Sequence, residues 1–144
     1  MSRLPEVRID ATRAYPPRAS EFTQTFWEAL REGRWRTTAC QACGRRTFPP
    51  KPVCPHCWST EVAWVDAGTQ GVLYAWTRIH AAPAVFAPEA PYACGIVDLD
   101  EGLRLACRLV EPPGAPLAIG QRIEMVVLQY RDGPLFAARP LGAA

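Results

Sequence analysis

Apolar and polar positions follow two different periods along the chain. Phe22, Phe26, Trp27 and Leu30 recur at helical spacing and share one face. Ser20 is a favourable N-cap, Glu21 suits the first turn, and Gly33 is a natural stop. The spacing predicts an amphipathic helix over 20–33. A helix this short gains little stability by itself, so its aromatic face requires a surface. The expectation is that this face docks on another chain rather than on its own domain. Residues 1–19 are polar, end in Tyr15-Pro16-Pro17, and are expected to form an extended arm.

Beyond the helix the pattern turns to β. Trp35–Ala39 and Arg46–Phe48 read as short strands, the second ended by Pro49 and Pro50, which cannot continue a ladder. Gly71–His80, Pro91–Leu99, Leu103–Val110, Gln121–Tyr130 and Leu135–Arg139 then read as strands. Asp100-Glu101-Gly102 and Arg131-Asp132-Gly133 supply tight turns. The connection Glu111–Ile119, between the third and fourth of these strands, carries three prolines. So few short strands bury their apolar side best by closing on themselves, which predicts an oligomer-binding (OB-fold) barrel over 63–144, with an open antiparallel sandwich as the alternative.

Composition narrows the class. The chain has 144 residues, 49% apolar and 21% charged, with 15 Pro and 10 Gly. These values fit one small globular domain or two very small ones and exclude a coiled coil, a collagen-like chain and a disordered one. No apolar run approaches the ~18 residues of a membrane span. Met1 to Glu6 lacks the apolar core of a signal peptide, so a cytoplasmic protein is expected. The formal charge of +2 hides an asymmetry: residues 31–60 carry +5, residues 1–30 balance, and residues 61–144 carry −3.

The cysteines carry the strongest chemical signal. Cys40-x2-Cys43 and Cys54-x2-Cys57 are close pairs separated by ten residues. Each pair fits a tight turn that aims both sulfurs at one centre, and two such turns make the tetrahedral sulfur site that zinc favours. Gly44 relaxes the backbone after the first pair, whereas Trp58 follows the second. With Cys40, Cys43, Cys54 and Cys57 as ligands, no position stays open for water, so one structural zinc per chain is expected in a zinc ribbon over 34–62, with an iron site on the same four ligands or a redox dithiol as the lesser alternatives. His56 is surplus to this set and is expected at the surface.

Other candidates are weaker. Cys94 and Cys107 sit in apolar stretches and are expected to pack in the core. No serine elbow, phosphate loop or dinucleotide motif is present. His80 precedes the apolar, proline-stiffened loop Ala81–Pro88, which contains Phe86 and would suit a partner or an acyl chain. Asp98, Asp100 and Glu101 read as turn and solvent charges. A nucleic-acid binder would set exposed aromatics among basic charge, but Tyr74 and Trp76 lie in the acidic half. Nucleic acid is therefore an unfavoured partner.

Taken together, Phe26-Trp27-Glu28-Ala29-Leu30-Arg31-Glu32-Gly33-Arg34, the two cysteine pairs, Phe48-Pro49-Pro50 and Gly71-Val72-Leu73-Tyr74-Ala75-Trp76-Thr77 resemble the DUF35 family over roughly residues 20–140. The resemblance implies a mainly β fold: an N-terminal helix, a rubredoxin-like zinc ribbon and a five-stranded OB-fold barrel. It also implies a non-catalytic companion of a thiolase-superfamily or lipid-transfer-protein-like aldolase subunit acting on acyl-CoA by thiolysis, condensation, acyl transfer or retro-aldol cleavage. Helix and ribbon would dock on that subunit and the barrel would shape its substrate channel. Phe22, Phe26, Trp27, Leu30, His80 and Phe86 are then the expected interface, and Arg45, Arg46 and Lys51 the expected contacts to coenzyme A phosphates. A free acyl-CoA binding module is the alternative.

Overall fold

A computed structural model of the chain describes residues 3–142. The first helix, α1 (Gln24–Arg31), is led in by a turn. In that turn the Ser20 N–H donates to Thr23 Oγ1 at 2.8 Å and the Thr23 N–H donates to Ser20 Oγ at 3.0 Å. Gly33, at φ +80°, ends the helix, its N–H reaching the Leu30 carbonyl.

The apolar face of α1 is covered by the chain itself. Phe26 (4% exposed) and Leu30 (0%) join a single core with Trp35, Leu73, Val97, Leu105, Met125 and Val127. This corrects the expectation that Phe26 and Leu30 present an interface to another chain. The physical reason is the size of the barrel: its strands alone do not enclose their apolar residues, and the helix with Trp35 completes the core.

Three short strands form the ribbon sheet: β2 (Arg36–Cys40), β3 (Arg46–Thr47) and β4 (Val62–Asp66), in the order β3-β2-β4 and antiparallel throughout. The sequence did not single out β4, and the expected boundary between 62 and 63 falls inside it. Buried Thr38 accepts the Lys51 N–H at 3.0 Å and so fixes the loop that returns through Pro49 and Pro50.

The second sheet is the barrel. Strands β5 (Gln70–Ile79), β6 (Tyr92–Leu99) and β7 (Arg104–Leu109) form an antiparallel meander. Strands β8 (Arg122–Tyr130) and β9 (Gly133–Pro140) pair antiparallel. A parallel β7–β9 contact at Arg108↔Ala137 and an antiparallel β5–β8 contact at Gly71↔Ile123 close the ring. The five barrel strands match the expected ones to within two residues at each end. The β5–β6 pair approaches tightly at Gly71, where a Cβ would collide with the Asp98 carbonyl oxygen and lie 2.7 Å from Leu99 Cα.

The arm is extended but bound. Its strand β1 (Glu6–Arg8) pairs parallel with β8 beyond the part of that edge used by β5. Leu4 is buried, and Arg13 donates to the Asp132 carbonyl at 2.8 Å. Among the described residues, no helix is long and apolar enough to cross a membrane.

Candidate functional site

Two cysteine knuckles meet at the end of the ribbon. In each, the residue after the second cysteine returns its N–H to the carbonyl of the first: Gly44 to Cys40 and Trp58 to Cys54, both at 2.9 Å. The first cysteine donates across the turn, Cys40 to the Arg45 carbonyl and Cys54 to the Ser59 carbonyl, again at 2.9 Å. Both turns need a left-handed residue at the same place: Gly44 has φ +78° and Trp58 has φ +67°.

This geometry gathers all four sulfurs within 4.8 Å of one another. Cys40 Sγ lies 3.5 Å from Cys57 Sγ, and Cys43 Sγ lies 3.7 Å from Cys54 Sγ. A tetrahedron with zinc–sulfur bonds of about 2.3 Å has edges of about 3.8 Å, so the cluster fits zinc. Backbone N–H groups of Ala42 and Cys43, each at 3.3 Å, point at Cys40 Sγ, and the His56 N–H points at Cys54 Sγ at 3.4 Å. Donors around a sulfur favour its thiolate, the form that binds metal. Accordingly the Cys43 N–H, with that of Ala42, draws the Cys40 thiol down to about 6. At Cys57 the Ser59 N–H favours ionisation, but hydrogen bonding with Cys40 and burial prevail and push it up to about 12. Burial opposes ionisation of Cys54, yet the N–H groups of Cys57 and His56 outweigh it and lower its pKa. Cys40 and Cys54 are buried, Cys43 and Cys57 exposed. A sulfur at every corner makes this a structural centre.

The basic candidates do not converge on one point. Arg45 Nη1 sits 3.4 Å from His56 Nδ1, and both residues are exposed. Arg46 donates to the Asp66 carbonyl at 2.9 Å and to Glu101 Oε2 at 2.6 Å, so a carboxylate already offsets its charge. Arg45, Arg46 and His56 line a cleft of about 350 Å³ together with Glu101, and Lys51 is not among its walls.

A larger cleft, of about 550 Å³, lies where helix, ribbon and barrel meet. Phe26, Trp27, Phe48, Pro49, Pro50, Leu105 and Phe136 wall it, with Arg18 and Arg104 as its charged members. The Phe26 ring touches those of Trp27, Trp35, Phe48 and Phe136 at centroid distances of 5.0, 5.7, 5.7 and 6.0 Å. Arg104 is held by both Asp98 oxygens, at 2.6 and 2.9 Å, and stacks 3.9 Å over Tyr74. Arg18 is exposed and, among the described residues, has no carboxylate within ion-pair distance. Arg18 carries no signal in the sequence, because it stands in a polar, proline-containing segment and two of the rings it joins, Phe48 and Phe136, are distant along the chain.

The remaining candidates scatter. Phe22 stacks on Trp64 at 5.1 Å, and Trp27 is half-buried against Phe136 at 6.4 Å. His80 is exposed, and Phe86, on the 3-10 turn Ala84–Glu89, packs on Tyr92 at 6.3 Å. Both Cys94 and Cys107 are half-buried, but Cys107 packs against the core as expected, whereas Cys94 departs from that expectation. Cys94 pairs with Arg108 and Cys107 with Gly95 across neighbouring strands, and burial pushes the Cys107 thiol up to about 12. The register shift between Leu73 and Ala75 separates the two barrel aromatics: Tyr74 is exposed under Arg104 while Trp76 packs against the core. They form no common stacking platform.

Known proteins match the same two units. Residues 27–63 match the rubredoxin-like zinc ribbon domain of ChsH2, and residues 64–128 match the ChsH2 C-terminal OB-fold domain. A DUF35 domain-containing scaffold protein of Methanocaldococcus jannaschii is 31% identical over 65% of this chain and 67% of its own. The benzoylsuccinyl-CoA thiolase subunit BbsA of Thauera aromatica is 29% identical over 91% of this chain and 85% of its own. Among solved structures, a chain of an Ltp2-ChsH2(DUF35) aldolase superposes with a TM-score of 0.74 at 31% identity, covering 87% of this chain and 98% of that one. Some relatives are longer: the chain spans 31% of one and 42% of another.

Proposed function

This chain belongs to the DUF35 family, which joins a rubredoxin-like zinc ribbon to an OB-fold barrel, and from that premise we propose that it is a non-catalytic accessory subunit of a thiolase-like enzyme acting on acyl-CoA. The observation that carries this reading is the pairing of a closed cysteine cluster with an open aromatic cleft. The cluster holds a scaffold and leaves no coordination site for chemistry. The cleft, walled by Phe26, Trp27, Phe48 and Phe136 and edged by Arg18, suits the apolar and pantetheine parts of a thioester whose reacting carbon lies in the partner's site. The matched relatives include a thiolase subunit, hydratase alpha subunits and a chain of an aldolase, and three of these are named for CoA thioesters, which supports a role beside acyl-CoA enzymes. Thiolysis, condensation, acyl transfer and retro-aldol cleavage all fit a shared cover over the substrate channel. Docking falls to the ribbon and to the half-exposed rim, because the buried face of α1 is occupied within the chain.

Co-expression of this chain with its thiolase-like subunit tests the reading. Acyl-CoA turnover should appear only with both chains, and neither Cys94→Ala nor His80→Ala in this chain should abolish it. Micromolar binding of acyl-CoA to this chain alone, with no effect on any such enzyme, would favour a free binding module instead.

A further inference from the structure

The second knuckle departs from the first at one residue. Gly44 takes the left-handed conformation without a side chain, whereas Trp58 takes it at φ +67° with an indole. That conformation crowds a Cβ against the backbone and is disfavoured for any bulky residue. Among the described residues the indole itself gains no aromatic or cationic partner: Trp58 is 79% exposed, and none of the ring–ring or cation–π pairs includes it. Val53, 37% exposed, and exposed Pro52 and Pro55 extend the same tip into an apolar surface. Arg45 follows the first knuckle in the chain and Lys51 precedes the second; both are exposed, and among the described residues neither has a carboxylate within ion-pair distance. The knuckle uses the left-handed backbone and the N–H of Trp58, which a glycine would supply at less cost, so an exposed indole held there points to a function outside the fold.

We propose that Trp58 is the anchor by which the ribbon tip docks, its indole entering an apolar pocket with an acidic rim on the partner enzyme subunit. The inference rests on the accessory-subunit reading and names the contact that reading lacks once the helix face is found buried. An acidic rim follows from Arg45 and Lys51. A second copy of this chain does not supply it, because its own aromatic cleft is edged by Arg18 and Arg104. A lipid surface is poorly matched too, since polybasic membrane sites gather about 4–8 cations and this tip presents Arg45 and Lys51.

The test uses the full zinc-loaded chain and the enzyme subunit that co-purifies with it, comparing wild type with Trp58→Gly, Trp58→Phe and Arg45→Glu. Relief of the left-handed strain should raise the melting temperature of Trp58→Gly by about 2–4 °C, the shift expected of ~1 kcal/mol in a chain this size. The same variant should bind the subunit at least ~30-fold more weakly, as loss of an interface hot spot does. Trp58→Phe should fall between the two, and Arg45→Glu should slow association and reduce its salt dependence. Undiminished affinity of Trp58→Gly, or a lower melting temperature, would overturn the anchor while leaving the accessory reading in place. If no thiolase- or hydratase-type subunit co-purifies with the wild type, both fail. Self-association in sedimentation, or binding to vesicles of phosphatidylcholine and phosphatidylserine, that disappears in Trp58→Gly would assign the tip to a second copy or a lipid surface and overturn the proposal.

Discussion

Replacing Phe26 by alanine separates a helix that serves its own fold from one that serves another chain. The ring is 4% exposed and touches four other aromatics drawn from the helix, the ribbon and β9. Burying a phenylalanine is worth roughly 1.5–3 kcal/mol by area alone, and truncating one in a core costs roughly 3–5 kcal/mol once the residual cavity is counted. Phe26 borders the 550 Å³ cleft, so the space it leaves opens to solvent and the cavity contribution is small. The expected loss is therefore near ~3 kcal/mol, the low end of that range and a large part of the ~5–15 kcal/mol that holds a domain. Urea denaturation of the isolated zinc-loaded chain, followed by near-ultraviolet circular dichroism, reads it directly. An unchanged midpoint together with lost binding to an enzyme subunit would refute the buried assignment and restore the helix as a docking surface.

Three further outcomes follow from the geometry. Cys40→Ser should abolish one-to-one zinc content, measured by metal analysis, and unfold the ribbon while barrel circular dichroism persists; full zinc retention would remove Cys40 from the ligand set. Gly71→Ala should destabilise the chain by about 1–3 kcal/mol, because the added methyl meets the Asp98 and Leu99 backbone rather than a flexible side chain; a neutral substitution would mean that β5 and β6 separate more easily than the register implies. Asp98, Asp100 and Asp132 lie below their ordinary 3.8, the first two through bonds from Arg104 and Arg122, the third through the Arg13 N–H. Their folded pKa values are depressed, so their contribution is complete above 3.8 and is lost as pH falls through the folded values. Stability should fall below pH 3.8 by less in Asp132→Asn than in wild type, and equal losses would contradict a role for the Arg13 contact.

The barrel and the metal centre were legible because their signals are local. Ile123, Met125 and Val127 alternate into the core and Arg131-Asp132-Gly133 turns the chain, so β8 and its partner announce themselves within a few residues. The cysteine pairs carry their geometry in their spacing. What the sequence hid depends on distant contacts. Whether the Phe26 face meets its own barrel or another chain turns on Trp35, Phe48 and Phe136, and no periodicity reports that meeting. The arm looks merely extended until β8 is found to have a free edge for it. Strand β4 was missed because Val62-Ala63-Trp64-Val65 is too short to distinguish a strand from a connection before β2 is in place to pair with it. Conversely, Trp58 was visible as a departure after Cys57, but its meaning needed the left-handed backbone and the exposure.

The most direct test is affinity purification of the tagged chain at native expression level, with mass spectrometry of the bound chains and metal analysis of the same sample. The accessory-subunit reading requires a thiolase-like subunit in fixed stoichiometry, one zinc per copy of this chain, and acyl-CoA turnover in the eluate. A zinc-loaded chain that elutes alone and supports no such turnover in any fraction would contradict it.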